Sequence, residues 1–163
     1  MRRLLLPVLV AACTAGCAYA FTYGGGSPER PTVNVRVEPL VDQTGDGWPA
    51  AVVTNRLRQR LGTPRGGPSE RTLHGEVTGV AVNNLPVARP GGVAAGIMVL
   101  RVQGVFRLVD GHGSVVRADT ALEGVAETTV AQSVGETEDL RRLAVERAAV
   151  ALADAMADAV TNP

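Results

Sequence analysis

The chain has 163 residues with 16 arginines, no lysine and 16 carboxylates, so its formal charge is zero. That length suits one domain, and a balance without a basic excess excludes the electrostatic footprint of a nucleic-acid binder. Both cysteines, Cys13 and Cys17, fall near the N-terminus, which excludes a disulfide framework or a cysteine-based zinc site in the body of the chain.

Residues 1–16 read as an export signal. Arg2 and Arg3 supply the positive start, and Leu4 to Ala12 is an apolar run well short of the roughly 20 residues that span a bilayer. The run ends in Thr14-Ala15-Gly16-Cys17, which resembles the lipobox of bacterial lipoproteins, where small residues precede a cysteine that is acylated and becomes the mature N-terminus. Thr14 stands where an aliphatic residue is usual. Val10-Ala11-Ala12-Cys13 fits the box better locally, but cutting there leaves a shorter apolar stretch, so Cys17 is the favoured lipidation site. An ordinary secretory peptide with an incidental cysteine is the remaining alternative. Removing 16 residues leaves 147, enough for a core that buries on the order of 70% of the unfolded surface. The mature chain then carries 14 arginines against 16 carboxylates, a formal charge of −2. No later segment is apolar enough to cross a membrane, so covalent lipid on Cys17, palmitate included, is the expected anchor and no other cofactor is implied. Each buried methylene of such a chain contributes about 0.8 kcal/mol, and two or more chains hold firmly.

Residues 17–30 form the anchor and a flexible segment. Tyr19, Phe21 and Tyr23 alternate on one face of an extended stretch, an aromatic strap packed on the domain or inserted in a partner. Gly24-Gly25-Gly26-Ser27-Pro28 then forms a joint. The folded domain is expected over 31–163. Thr32 to Glu38 alternates Val33, Val35 and Val37 with polar residues and reads as a half-buried strand, ended by Pro39. Asp42 to Gly47 reads as a turn. Trp48 to Leu61 reads as a helix, with Pro49 in its first turn, Val53, Leu57 and Leu61 at intervals of four, and Gly62 as the stop.

A second strand is expected over Arg71 to Val82, where Gly75 and Gly79 hint at close approach of another backbone. Asn83 to Gly92, with Pro86 and Pro90, reads as a hairpin tip carrying Arg89. Ile97 to Val109 is the strongest strand, with Met98, Leu100, Val102, Phe106 and Leu108 on one face and Arg101, Gln103 and Arg107 on the other. Asp110-Gly111-His112-Gly113 reads as a turn. Ser114 to about Val130 reads as a fourth strand, broken near Gly124. Thr137 is a candidate N-cap for a last helix running to about Val160, with an apolar stripe of Leu140, Leu143, Ala144, Ala148, Ala151, Leu152 and Ala155. The alanines imply that this helix lies close to what it covers.

The order β-α-β-β-β-α, with one apolar face per element, predicts an α+β fold. It is a two-layer sandwich in which two helices cover one face of a four-stranded mixed sheet. The bare face would be polar, showing Asn34, Arg36, Glu76, Arg101, Gln103 and Arg107. Nothing in the pattern carries catalysis. His74 reads as a strand residue and His112 as a turn residue. Ser69, Ser114 and Ser133 lack a nucleophile-elbow context, and the triple glycine lacks the lysine and helix of a phosphate loop. The expectation is a non-enzymatic protein without a metal.

In order along the chain, several short motifs resemble the LPS-assembly lipoprotein family, the LptE-like partners of the outer-membrane barrel that delivers lipopolysaccharide. Cys17-Ala18-Tyr19-Ala20-Phe21 is similar to the family's mature start, with Ala18 for its glycine. Val37-Glu38-Pro39-Leu40-Val41-Asp42-Gln43-Thr44 is similar to its Val-x-x-Phe-x-Asn-x-Thr run. Leu73-His74-Gly75-Glu76-Val77 and Phe106-Arg107-Leu108-Val109-Asp110-Gly111-His112-Gly113 look like its second- and third-strand signatures. The resemblance implies a lipoprotein that plugs an LptD-like translocon barrel and contacts lipopolysaccharide. Its phosphates would suit Arg89, Arg101 and Arg107, although these match no contact motif of the family. Ala18 is not the aspartate that retains many lipoproteins in the inner membrane, so the periplasmic face of the outer membrane is expected. A secretion pilot, an envelope structural protein of similar fold, or a periplasmic ligand-binding protein are the alternatives.

Overall fold

In a computed structural model, residues 34–65, 67, 70–87, 95–130 and 134–162 are described. Strand β1 spans Val35–Val37, β2 Val41–Asp42, helix α1 Trp48–Leu61, β3 Arg71–Val87, β4 Ala95–Asp110, β5 Val115–Thr129 and helix α2 Val134–Thr161. The sheet runs β1-β3-β4-β5, with β2 also paired to β3. Strands β1 and β2 run parallel to β3, whereas β3-β4-β5 is an antiparallel meander. Both helices contribute to a single core cluster with the sheet, so the α+β sandwich expected from the pattern is the fold. The sheet has five strands rather than four, because β2 adds a two-residue rung after the kink at Pro39.

Helix α1 has the limits its sequence predicts. Gly47 precedes it in a left-handed conformation and offers no side-chain cap. The cap comes from outside the helix. Asp42 Oδ2 accepts a hydrogen bond from the Ala50 amide (3.1 Å), and Asp42 Oδ1 accepts from the amide (2.8 Å) and hydroxyl of Thr44. An anion here satisfies an otherwise orphaned first-turn donor and faces the positive end of the helix dipole. Thr54, only 5% exposed, ties the next segment down. Its hydroxyl accepts from the Leu40 amide (3.0 Å) and donates to the Ala50 carbonyl (2.8 Å). Thr54→Val keeps the shape but orphans the buried Leu40 amide. An expected loss of about 1–3 kcal/mol is readable by urea unfolding.

Burial opposes ionisation of Asp42, but hydrogen bonds from the Thr44 hydroxyl and from the amides of Ala50, Thr44 and Gly47 outweigh it and hold its pKa below the ordinary value. A carboxylate depressed on folding stabilises the fold above its unfolded pKa, and that contribution is lost as pH falls through the folded one. Wild type should therefore lose stability below about pH 4 more steeply than Asp42→Asn, as measured by chemical denaturation from pH 7 to pH 2.

The alternation of β3 breaks in the middle. A register shift between Val77 and Gly79 leaves Thr78 as an extra residue. Leu73 and Val77 are buried ahead of it, and Val80 and Val82 pack on the core beyond it. One inserted residue exchanges the faces of all that follow. Strand β3 also continues to Val87, where a hairpin tip was expected from Asn83. Pro86 is accommodated because beyond Val77 neither β1 nor β2 flanks β3, and proline is tolerated at a sheet edge.

Strand β5 runs unbroken through Gly124, and the glycine has another purpose. A Cβ there would overlap the Ala148 carbonyl oxygen and the Leu152 amide nitrogen and lie 2.9 Å from Leu152 Cα, so the backbone of α2 rests on β5 at this point. Gly104 and Gly75 are similarly confined. A Cβ on Gly104 would come within 2.9 Å of Met156 Cε, and one on Gly75 within 2.9 Å of the Val105 carbonyl. Helix α2 begins at Val134, three residues before the expected cap Thr137, which lies inside it. Its buried face is Ala144, Val145, Ala148, Ala149, Leu152, Ala153, Met156, Ala157 and Val160, while Leu143 is 42% exposed. That face is turned from the expected stripe toward Val145, Ala149, Ala153 and Ala157, leaving Ala151 and Ala155 half-buried, because α2 packs against both the sheet and α1. Arg56 donates to Asp154 through Nε (2.9 Å) and Nη2 (3.1 Å), and Arg60 reaches Asp158 (2.8 Å), at the seam between the helices. No described helix is long and apolar enough to cross a membrane.

Candidate docking surface

The helices cover one face of the sheet, and no described element covers the other. Antiparallel pairing fixes what this bare face presents. Its rows read His74–Arg107, Glu76–Val105–Ala121, Gly79–Gln103–Glu123, Ala81–Arg101–Val125, Asn83–Val99–Glu127 and Leu85–Ile97–Thr129 across β3, β4 and β5. The expected polar face is therefore polar only in part. Leu85 is 52% and Val125 44% exposed, whereas Val99 in the row between them is only 8% exposed, so the half of the face away from the Asp110 turn is mixed.

Charge is laid out in columns. Strand β4 carries Arg101 and Arg107, both exposed. Strand β5 carries Asp119, Glu123 and Glu127, also exposed, and none of these five has an ion-pair partner within 4.0 Å among the described residues. Arg101 and Arg107 share a face but stand six residues apart, about 20 Å along the strand. They do not converge on one anionic group. Arg89 and Cys17 lie outside the described residues, as does the aromatic strap of Tyr19, Phe21 and Tyr23.

A cleft of about 390 Å³ opens on this face where the chain kinks between β1 and β2. Glu38, His74, Glu76, Arg107 and Asp119 line it. His74 Nδ1 lies 2.9 Å from Glu38 Oε2, and Glu76 accepts a hydrogen bond from the Gln43 side chain (2.6 Å). The sequence pattern puts His74 on a strand but has no signal for this row of charges, because Glu38 reaches it only through the parallel pairing of β1 with β3. His112 is the expected turn residue. Its amide (2.9 Å) and that of Ser114 (2.8 Å) donate to Asp110 Oδ1. These amides, Ser114 first, hold the Asp110 pKa below the ordinary carboxylate value.

A second groove, of about 920 Å³, lies between the β3 bulge and the start of α2. Trp48 forms part of its wall with the Arg142 guanidinium 5.9 Å from the ring centroid, a cation–π arrangement. The sequence suggested no role for Trp48 beyond opening α1. No group of three or more His, Cys, Asp or Glu side chains among the described residues could hold a metal ion.

Fold and surface together define a class: small two-layer α+β domains in which, among the described residues, no element covers the second face of the sheet. No protein-family model matches the chain, and no curated sequence matches it. Solved structures do. A "putative lipoprotein" from Caulobacter crescentus CB15 superposes with a TM-score of 0.53 at 17% identity, covering 80% of this chain and 89% of that one. Rare lipoprotein B from Shewanella oneidensis gives 0.48 at 14%, covering 78% and 98%. A minor lipoprotein from Acinetobacter baumannii gives 0.46 at 13%, covering 79% and 91%. The chain shares its fold with the Caulobacter protein, and these three neighbours are proteins named as bacterial lipoproteins.

Proposed function

We propose that this protein is an exported lipoprotein, held by lipid on Cys17 at the periplasmic face of the outer membrane, which fits into an LPS-translocon barrel of the LptD type and assists lipopolysaccharide insertion. The observation that carries the reading is the bare sheet face, a broad surface of mixed apolar and charged residues with no covering layer among the described residues. The lumen of a large outer-membrane barrel is polar, and such a face can be covered there without the cost of exposing a large greasy patch. The ordered motifs of the sequence point to the same family. No catalytic step is part of the reading.

Co-purification from detergent-solubilised outer membrane tests the partner. The wild-type protein should bring down a large β-barrel protein in a fixed ratio, and Cys17→Ala should abolish both acylation, by mass spectrometry, and recovery from the membrane fraction. Isolation free of any barrel would count against the proposal. The lipopolysaccharide contact belongs to the same reading, through Arg101, Arg107 and Arg89. Since Arg101 and Arg107 are about 20 Å apart along β4, each would meet a separate anionic group. Arg101→Glu with Arg107→Glu should weaken lipopolysaccharide binding at least tenfold. Exposed substitutions of this kind alter stability by no more than about 0.5 kcal/mol. Unchanged binding would remove the arginines from the site.

A further inference from the structure

The two edges of the sheet are built differently. On one side β1 has three residues and β2 two. Pro39 separates them, the bulge at Thr78 lies beyond, and Pro86 stands near the end of β3. Short strands, prolines and bulges are the devices that stop a sheet edge from recruiting another chain. On the other side β5 presents 15 residues without a proline, about 50 Å of strand. Among the described residues it pairs only with β4; two register shifts fall between Val115 and Thr120, and from Thr120 to Thr129 the pairing has no irregularity. Gly124 seats α2 directly over this strand, while its outer backbone groups have no strand partner among the described residues.

The side chains along the edge are ordered too. Toward the bare face β5 turns Asp119, Ala121, Glu123, Val125 and Glu127. Three exposed carboxylates recur at intervals of four, with small or apolar residues between them. Self-association does not suit this pattern. An antiparallel β5–β5 pair centred on Glu123 would set Asp119 opposite Glu127 and Glu123 opposite itself, and like charges directly opposite are destabilising. A strand with basic residues at the same spacing would neutralise all three.

We propose that the outer edge of β5 is a docking site for an extended, basic segment of another protein, which adds to the sheet as a further strand. Backbone hydrogen bonds supply the attachment, and the carboxylate row sets register and partner choice. The inference is independent of the barrel assignment, because it concerns the chemistry of the segment and not the protein that carries it.

The test uses the full-length protein in detergent with a synthetic peptide, Arg-Thr-Val-Thr-Arg-Thr-Val-Thr-Arg, and a counterpart with glutamate for arginine. The arginine peptide should bind at least tenfold more tightly than its acidic counterpart, and binding should weaken as salt is raised. It should also slow amide hydrogen exchange in residues 119–129 and not in residues 79–87 of β3. Asp119→Asn with Glu123→Gln and Glu127→Gln, all exposed changes, should erase the preference for arginine while leaving thermal stability unaltered. Equal binding of both peptides, protection confined to β3, or no protection at β5 would each overturn the proposal. So would a concentration-dependent dimer protected at β5 in the absence of peptide.

Discussion

Replacing Gly124 by alanine should lower the unfolding free energy by about 3 kcal/mol, the upper end of the cost of overpacking a close-packed interior. In a domain of this size that is a fall in Tm of roughly 10 °C. The reason is that the obstructing atoms are backbone. A Cβ on Gly124 meets the Ala148 carbonyl and the amide nitrogen and Cα of Leu152, none of which can turn aside as a side-chain tip can. Either α2 lifts off the sheet or β5 bends away from it, and both uncover Ala148, Leu152 and Met156, which are fully buried. Gly135→Ala is the matched control. Nothing lies within 4 Å of a Cβ at Gly135, and alanine is favoured over glycine in a helix by up to about 1 kcal/mol. Thermal unfolding followed by circular dichroism should therefore show opposite shifts for the two variants. Equal shifts would mean that the helix does not rest on β5 at Gly124.

Phe106→Ala should cost about 3–5 kcal/mol, the usual range for removing a large buried aromatic. Phe106 is 1% exposed and is the largest fully buried side chain described. It stands on β4, the central strand of the meander, where a void would adjoin residues from both neighbouring strands and the helical layer. The adjacent Arg107→Ala, on the bare face, should change stability by no more than about 0.5 kcal/mol. Guanidinium unfolding of the pair measures the difference. A small loss for Phe106→Ala would place the core elsewhere.

These contrasts show where the sequence was legible. Helix α1 could be read to the residue because its signals are local: a proline in the first turn, a four-residue apolar rhythm and a glycine at the end. The core face of β4 could be read because one uninterrupted alternation runs from Met98 to Leu108. Strand β2 could not, since two residues carry no period. The far end of β3 looked like a turn because Asn83, Asn84 and Pro86 are turn formers, yet long-range pairing with Met98, Val99 and Gly96 overrides that preference. Gly124 read as a break in β5 for the same reason. Its need for glycine comes from α2, some 25 residues later, and no local pattern reports it. Helix α2 is apolar on too many sides from Leu143 to Val160 for one stripe to identify its buried face.

The motif Val37 to Thr44, met first as a family likeness, has a structural explanation in this chain. Val37 and Leu40 are buried, Asp42 caps α1, and Thr44 holds Asp42 in place. These residues build the fold, and what they contribute to function is the position of the bare face. The surface itself was only partly legible. Arg101 and Arg107 lie on one face as their alternation implies, but the carboxylate column beside them depends on the register between β4 and β5. The row at His74 depends on the β1–β3 pairing, which no sequence period encodes.

On the proposed reading, the sheet face opposite the helices meets a barrel partner. Site-specific photocrosslinking in living cells addresses it most directly, with a photoreactive amino acid placed at Gln103 on that face and, separately, at Glu146 on the exposed side of α2. An adduct with a large outer-membrane β-barrel protein is expected from position 103, and a much weaker one from position 146. A barrel adduct from 146 with none from 103 would contradict that reading.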